Sequence, residues 1–253
     1  MEKKMQNKSV LVVGGSGGIG ASVSRMFASK FSRVCVHGGH DSPKFDAFVD
    51  ELRSLNVRNR PKDIPENFCH VGKIVYNFLE NEFSELEKSE LAKIAESVDI
   101  LCICHGPFVQ KRIDEMSLDD WRTVSLYDFA LPGFFVSKAL PNMVKNSFGR
   151  IILFGGTGTS CRSEFKTNAP YAAAKTAVGT LVESTAAFYA KFGVTCNAVL
   201  PGFVRTEYNG DSPVPFGMEV DAGKIADCVE FLVGNKELNG VLLRVDKGWS
   251  PNF

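Results

Sequence analysis

A glycine-rich turn that joins an apolar stretch to an amphipathic one constrains the fold of this chain most. Ser9–Val13 is apolar without alternation, which is typical of a parallel strand covered on both faces. Residues Gly14–Gly20 (GGSGGIG) follow, and apolar residues then recur at helical spacing as far as Phe27. Backbone N–H groups at such a helix start can hold a phosphate, and glycines let it come close. The pattern predicts a strand–turn–helix unit that binds a pyrophosphate; a flexible surface loop is the alternative.

The remaining chain alternates between strand-like and helix-like stretches. Further strands are predicted near residues 33–37, 67–71, 98–104, 149–154, 193–200 and 239–245. Helices are predicted near residues 44–56, 77–97, 121–145, 170–192 and 224–233. This alternation predicts an α/β fold with a doubly wound parallel sheet of about seven strands and helices on both faces. No repeat or linker divides the chain, so one domain is predicted over residues 1–253.

Charge and cysteine content narrow the functional classes. The 29 basic and 29 acidic residues balance, which argues against nucleic acid or an anionic membrane as the partner. The first residues carry no secretory signal and no stretch is long enough to span a bilayer, so cytoplasm is the predicted location. Seven cysteines without a C-x-x-C indicate reduced thiols, and the four histidines lack ligand spacing. No metal site is predicted.

Tyr171 and Lys175 are the candidate reactive pair. Four residues apart on a predicted helix, they lie one turn from each other on the same face. An ammonium near a phenol favours the phenolate, so we expect the pKa of Tyr171 to fall toward working pH. Such a phenol can exchange a proton with a carbonyl or alcohol oxygen. The alternative is an ordinary surface Tyr and Lys, and only the glycine turn elsewhere in the chain argues against it.

The end of the second strand bears on cofactor choice. In dinucleotide folds an acidic residue there selects a free ribose 2′-hydroxyl, whereas basic residues suit a 2′-phosphate. Gly38 stands nearest that position, with His37 and His40 beside it and Asp41 farther along. The missing acid favours NADP, with NAD as the alternative, and predicts that His37 contributes to the cofactor site. Both histidines can equally be plain loop residues.

Motifs in order along nearly the whole chain resemble those of the short-chain dehydrogenase/reductase superfamily, in the single-domain form of the 3-oxoacyl-carrier-protein reductases. The glycine turn resembles T-G-x-x-x-G-I-G, and Tyr171 and Lys175 fit Y-x-x-x-K. The remaining matches are Asp99–Leu101 with Gly106 for D-x-L-x-N-N-A-G, Asn197 for the V-N-x-x-x-P-G lead-in, Pro201–Thr206 for P-G-x-x-x-T, and Val245–Gly248 for V-D-G-G.

The resemblance implies a Rossmann-like sheet and an NAD(P)-dependent oxidoreductase that interconverts a small carbonyl compound and a secondary alcohol. It implies that Tyr171 is the acid/base and that Lys175 lowers its pKa and holds the nicotinamide ribose. It also implies a homo-oligomer, tetramer or dimer, although apolar residues on the Trp121 and Tyr171 helices are equally explained as core. The implied cofactor-binding residues are Gly14, Ser16, Gly18, Ile19, Gly20, His37, Gly106, Lys175, Pro201, Gly202, Val204 and Thr206.

Several positions depart from the family pattern. Val13 replaces the threonine of the glycine turn, and Ile103-Cys104-His105 replaces Asn-Asn-Ala, which predicts an apolar contact where both polar partners are gone. Asp128 stands where the helix asparagine of the proton relay is expected, or it is an outward-facing residue of the helix. Its charge could raise the pKa of Tyr171.

The substrate-side serine has no clear counterpart. Counting back from Tyr171 reaches Gly158, whereas aligning the fifth strand reaches Gly156. Thr157, Thr159 or Ser160 could supply the hydroxyl, and Thr157 is the predicted choice. We therefore weigh two hypotheses, an oxidoreductase and a dinucleotide-binding sensor or interaction partner with little catalysis. A small apolar lid is predicted in the loop from Arg205 to Gly223.

Overall fold

The computed structural model describes residues 3–59, 70–161, 163–206 and 217–249. Seven parallel strands form one sheet in the order β3-β2-β1-β4-β5-β6-β7. Their bounds are β1 Ser9–Val13, β2 Arg33–Gly38, β3 His70–Val75, β4 Ile100–Ile103, β5 Gly149–Phe154, β6 Val194–Pro201 and β7 Leu242–Val245. The predicted α/β fold, a Rossmann-like doubly wound sheet, is confirmed.

Helices cover both faces of the sheet. They are α1 Lys3–Gln6, α2 Gly18–Lys30, α3 Pro43–Arg58, α4 Glu90–Ala95, α5 Leu118–Val124, α6 Leu131–Lys145, α7 Ala169–Tyr189 and α8 Ala222–Gly234. Alternate side chains of β1 pack on opposite faces of the sheet, because successive side chains of a strand point in opposite directions. Val10 and Val12 join the apolar core under α2, α3 and α8, whereas Leu11 and Val13 join the core under α4, α6 and α7.

The strand order reverses beside β1. The chain winds outward from β1 through β2 to β3, and then crosses to the other side of β1 to begin β4. A crevice opens where the carboxyl ends of two such neighbouring strands diverge, which is where open α/β sheets bind ligands. The glycine turn leaves β1 at this point, and His105 and Gly106 leave β4 beside it.

Two predicted elements differ in the structure. The third strand lies at His70–Val75 rather than 67–71, and residues 67–69 fall outside the described residues. Residues 77–97 are not one helix. They form a turn, a 3₁₀ helix at Phe83–Lys88 and the short α4, which begins where the Ser89 hydroxyl accepts a hydrogen bond from the Ala92 N–H at 3.1 Å. Local capping therefore overrides the helical spacing of apolar residues there.

A π-helical segment at Ser125–Ala130 connects α5 to α6, within the stretch predicted as one helix at 121–145. Pro132 follows this π segment, and because proline lacks an N–H it disrupts the regular hydrogen-bond ladder. π-helical bulges widen a helix by one residue and often lie at functional sites. Here the π segment turns Asp128 inward, where its side chain is completely buried.

Candidate active site

The glycine turn packs directly against the end of β4. Gly14 has a φ of 73°, and a Cβ on it would lie 2.8 Å from the His105 backbone nitrogen. Gly20 lies so close to the Gly14 carbonyl that a Cβ there would overlap it. Gly17 caps α2 without a side chain, so no capping group from that residue occupies the first N–H groups of the helix. These features make an anion cradle whose shape side chains would destroy.

The loop after β6 meets the same helix start from the opposite side. A Cβ on Gly18 would lie 3.4 Å from the Thr206 methyl group. Pro201 ends β6, the Gly202 N–H donates to the Val245 carbonyl at 2.9 Å, and Val204 is buried. The structure thus brings the two predicted halves of the cofactor site together across one crevice.

Ser16 and Gly38 face each other where β2 ends. A Cβ on Gly38 would lie 2.7 Å from the Phe45 ring and 2.9 Å from the Ser16 hydroxyl oxygen. No carboxylate side chain fits at that position. Asp41 instead pairs with Lys73, which also contacts Asp46 at 2.6 Å. Ile19, another residue of the predicted glycine turn, packs against the apolar core that contains Val10 and Val12.

His37 does not face the cofactor crevice, so the prediction that it contributes a contact to the ribose is wrong. Its side chain is 1 % exposed. Nδ1 accepts a hydrogen bond from the Gly14 N–H at 2.9 Å, and Nε2 is therefore the nitrogen that donates to the Tyr76 carbonyl at 2.8 Å. Burial lowers the pKa of His37 to about 4, which keeps the ring neutral. Its role is to fasten the glycine turn to the ends of β2 and β3.

Asp128 and Lys175 form a buried ion pair below Gly106. The Lys175 Nζ lies 2.9 Å from Asp128 Oδ1, and the side chains are 5 % and 0 % exposed. A Cβ on Gly106 would lie 2.8 Å from that Nζ and would overlap Asp128 Oδ1. In the described part of the chain neither carboxylate oxygen has a partner with good hydrogen-bond geometry, so the contact is chiefly electrostatic. Asp128 is thus inward-facing, unlike the outward alternative.

Tyr171 stands one turn before Lys175 on α7, with the ammonium 5.6 Å from its ring centroid. The exposed ring of Phe108 meets it edge-on at 4.9 Å. Burial raises the pKa of Tyr171 by more than Lys175 lowers it, and Asp128 raises it further. The expected net lowering is therefore wrong for this arrangement. Lys175 itself keeps a raised pKa, because Asp128 and Tyr171 outweigh the lowering caused by its burial.

Gly156 is the residue beside the phenol. A Cβ on Gly156 would lie 3.7 Å from the Tyr171 hydroxyl, in ordinary contact. The predicted Thr157 does not fit this position, because its hydroxyl lies within hydrogen-bond distance of the Pro201 carbonyl at 3.2 Å and of Asp246 Oδ2 at 3.3 Å. Thr159 is buried and its hydroxyl bonds both the Gly156 N–H and carbonyl. Of the two positions to which the sequence points for the serine, Gly156 is therefore the one beside the phenol, and it carries no hydroxyl.

An aromatic stack that the sequence did not reveal lies behind the crevice. The Phe78 ring is 4.8 Å from both His37 and His105, and the Tyr127 hydroxyl donates to the Phe78 carbonyl at 2.6 Å. Burial lowers the pKa of His105 to about 4, and its Nε2 has no partner in the described part of the chain. Phe78, which follows β3, is the residue that could have indicated this stack. The sequence pattern instead predicts it as part of a helix over residues 77–97.

Comparison with known proteins identifies the family. A family model described as short chain dehydrogenase matches residues 8–213. The chain belongs to the short-chain dehydrogenase family. It is accordingly an oxidoreductase of a family that uses NAD(P) to interconvert carbonyls and alcohols.

Individual relatives agree with this membership. The chain is 28 % identical to the 3-oxoacyl-(acyl-carrier-protein) reductase FabG of Staphylococcus epidermidis, over 96 % of this chain and 98 % of that protein. It is 24 % identical to the uncharacterized oxidoreductase YmfI of Bacillus subtilis, over 96 % and 99 %. A solved 3-oxoacyl (acyl-carrier-protein) reductase of Agrobacterium tumefaciens with NADP bound superposes with a TM-score of 0.80 at 20 % identity, over 96 % and 95 %.

The described residues of this short-chain dehydrogenase lack a membrane-spanning helix and a metal-binding cluster. No helix in the described part of the chain combines the length and apolarity that a bilayer-spanning segment needs. The same residues contain no group of three or more His, Cys, Asp or Glu placed to hold a metal ion. Most of the lid predicted between Arg205 and Gly223, residues 207–216, lies outside the described residues.

Proposed function

We propose that the protein is an NADP-dependent oxidoreductase that interconverts a small-molecule ketone and a secondary alcohol, with Tyr171 as the acid/base. The observation that supports this most is the position of Tyr171. The Asp128–Lys175 pair lies against Gly106 just after β4, and the preceding residue, His105, packs against Gly14 of the glycine turn. The Tyr171 ring lies 5.6 Å from the Lys175 ammonium. A hydride carrier held by that turn would meet a carbonyl next to the phenol.

The proposed roles follow from the contacts. Gly14, Ser16, Gly18, Ile19 and Gly20 would hold the pyrophosphate at the start of α2. The backbone of Gly106, Pro201, Gly202 and Val204, with Lys175 and the Thr206 hydroxyl, would hold the nicotinamide half. The cofactor supplies the hydride. Tyr171 exchanges a proton with the substrate oxygen, and the ammonium of Lys175 stabilises the phenolate that results.

The end of β2 supports NADP over NAD. The ribose 2′-hydroxyl of NAD is normally held by a carboxylate there, and Gly38 leaves no room for one. The nearby Asp41 is already paired with Lys73. The Ser16 hydroxyl, which lies beside Gly38, is a suitable donor for a 2′-phosphate. We expect a lower dissociation constant for NADPH than for NADH, and tighter NADH binding would contradict this part of the proposal.

The deciding experiment compares the wild type with Tyr171→Phe. Cofactor oxidation is followed against cyclic ketones, open-chain ketones and 3-oxoacyl thioesters, the last because FabG relatives carry that name. We expect Tyr171→Phe to lose roughly a hundredfold or more in kcat while its NADPH dissociation constant stays near the wild-type value. Turnover that survives the substitution would refute the role of Tyr171. NADPH binding without turnover of any carbonyl would favour the binding-protein alternative.

A cytoplasmic location and a homo-oligomer, tetramer or dimer, are further parts of the proposal. Phe135 and Val178 belong to the core, whereas Trp121 on α5 and Phe188 on α7 are 43 % and 58 % exposed. Apolar side chains exposed on those two helices are the kind of surface that a second copy could cover. Light scattering of the full chain measures the assembly, and a monomer would contradict this part.

A further inference from the structure

The pairing of Asp128 with Lys175 changes the charge that Tyr171 experiences. A lysine beside a phenol stabilises the phenolate through its positive charge. Here a carboxylate contacts that ammonium at 2.9 Å, and water is excluded from both groups. Because charges interact more strongly away from water, the carboxylate offsets much of what the ammonium does for the phenol. The amide oxygen of an asparagine in the same position would accept a hydrogen bond from the ammonium, but it would bring no negative charge to offset it.

Two features of the fold allow this contact. The π segment directs Asp128 into the protein interior, and Gly106 lacks the side chain that would separate the pair. Neither feature is needed for an exposed carboxylate. Both make the ion pair a specific element of this site rather than a chance approach of two side chains.

In the described part of the chain, few other charged or titratable groups act on this site. Lys175 is influenced by Tyr171 from its own helix, by Asp128 from the π segment, and by Cys104 from the end of β4. His105, on the loop after β4, also interacts with Lys175. The pKa of His105 is lowered to about 4, so its ring stays neutral through neutral and alkaline pH. Among the described residues, Asp128 is the one whose carboxylate contacts the ammonium. Burial raises the pKa of Asp128, and Lys175 opposes that shift.

We propose that Asp128 sets the pH range in which Tyr171 works, by compensating the charge of Lys175 and so moving the activity of the site to more alkaline pH. This inference rests on the acid/base role proposed for Tyr171. Asp128 acts through Lys175 and is a positioning residue. Its effect is therefore expected in the pH profile more than in the affinity for cofactor.

The test is Asp128→Asn in the full chain, which keeps the size of the side chain and an acceptor oxygen while it removes the charge. The pH dependence of kcat/KM is measured for alcohol oxidation, in which the phenolate is the base. We expect the midpoint to move to lower pH by about one unit, with the KM for cofactor nearly unchanged. Asp119→Asn removes an exposed carboxylate from α5 and is expected to leave the profile at the wild-type midpoint. Cys104→Ser removes the neighbouring thiol and is expected to leave the midpoint near the wild-type value.

A second readout needs no turnover. The ultraviolet absorbance of tyrosinate is titrated with and without Tyr171→Phe, and the difference isolates Tyr171 from the other four tyrosines. A midpoint that moves down in Asp128→Asn supports the inference even if no substrate is found, in which case only the proposed function fails. An unchanged or higher midpoint overturns the inference, whether or not the enzyme is active. Asp128→Ser is a second neutral variant should the amide fail to fold.

Discussion

The two ends of the crevice are built on different principles. The cofactor end is made of backbone: glycines without room for a Cβ, a helix start without a side-chain cap, and a histidine whose two nitrogens are both bonded. The reaction end is made of side chains, and two of them lack hydrogen-bond partners in the described residues. They are His105, at Nε2, and Asp128, whose Oδ1 makes only the ionic contact with Lys175, and Gly156 nearby carries no hydroxyl.

The difference determines which substitutions each end of the crevice can tolerate. A backbone site tolerates changes in the surrounding side chains, provided that polar partners change together. Val13 and Ile103 lie opposite each other in register and are both buried, so the predicted apolar contact is confirmed. A side-chain site has no such freedom, because each substitution there alters a donor or a charge. Asp128 and Gly156 are therefore the positions through which we expect the chemistry of this enzyme to differ from that of its relatives.

The largest effect is expected from breaking the backbone end with Gly20→Ala. The added Cβ would overlap the Gly14 carbonyl, so the turn must open and the N–H groups that hold the pyrophosphate lose their alignment. We expect NADPH affinity to fall by roughly a hundredfold or more. Fluorescence titration of NADPH measures it, with circular dichroism to verify the fold. Gly39→Ala is the matched control, because nothing lies within 4 Å of a Cβ there. Equal affinities of the two variants would contradict this account.

The same distinction explains what the sequence could predict. The apolar runs and the glycine turn report backbone conformation directly, so the sheet and the crevice followed from them. Whether Thr157 or Gly156 faces the phenol depends on the path of one loop, and no periodicity encodes that. The burial of His37 depends on Phe78 and Tyr76, which are distant in sequence. The net shift of the Tyr171 pKa required knowing how completely the site excludes water.

The next largest effect is expected from restoring the missing donor with Gly156→Ser. A Cβ there fits at 3.7 Å from the Tyr171 hydroxyl, and the new hydroxyl can reach an oxygen held by that phenol. A single such donor is worth about a hundredfold in rate, and we expect a gain of up to that size in kcat. Gly156→Ala fills the same space without a donor. If the alanine variant gains as much as the serine variant, or if neither changes kcat, Gly156 is not the vacant donor position.

A smaller effect is expected at His37, where a side chain supports the backbone end. His37→Phe keeps an aromatic ring beside Phe78 but leaves the Gly14 N–H and the Tyr76 carbonyl without their partner. Burying such groups unpaired costs about 1–3 kcal/mol each. We expect the KM for NADPH to rise by about tenfold while kcat changes little, because the reaction end is untouched. A fall in kcat with an unchanged KM would place His37 in the chemistry instead.

The smallest effect is the pH dependence of stability that His37 contributes. Its pKa is about 4 in the folded protein and 6.5 in an unfolded chain, so the unfolded state binds more protons between these values. The stability that the neutral ring provides is present above pH 6.5 and is lost as pH falls toward 4. Thermal melts at pH 7 and pH 5 should therefore differ, with the lower melting temperature at pH 5. In His37→Phe this difference should shrink but persist, because His105 has a similarly lowered pKa and titrates in the same range. A pH dependence identical in the two proteins would mean that folding leaves the pKa of His37 unchanged, which would contradict this account.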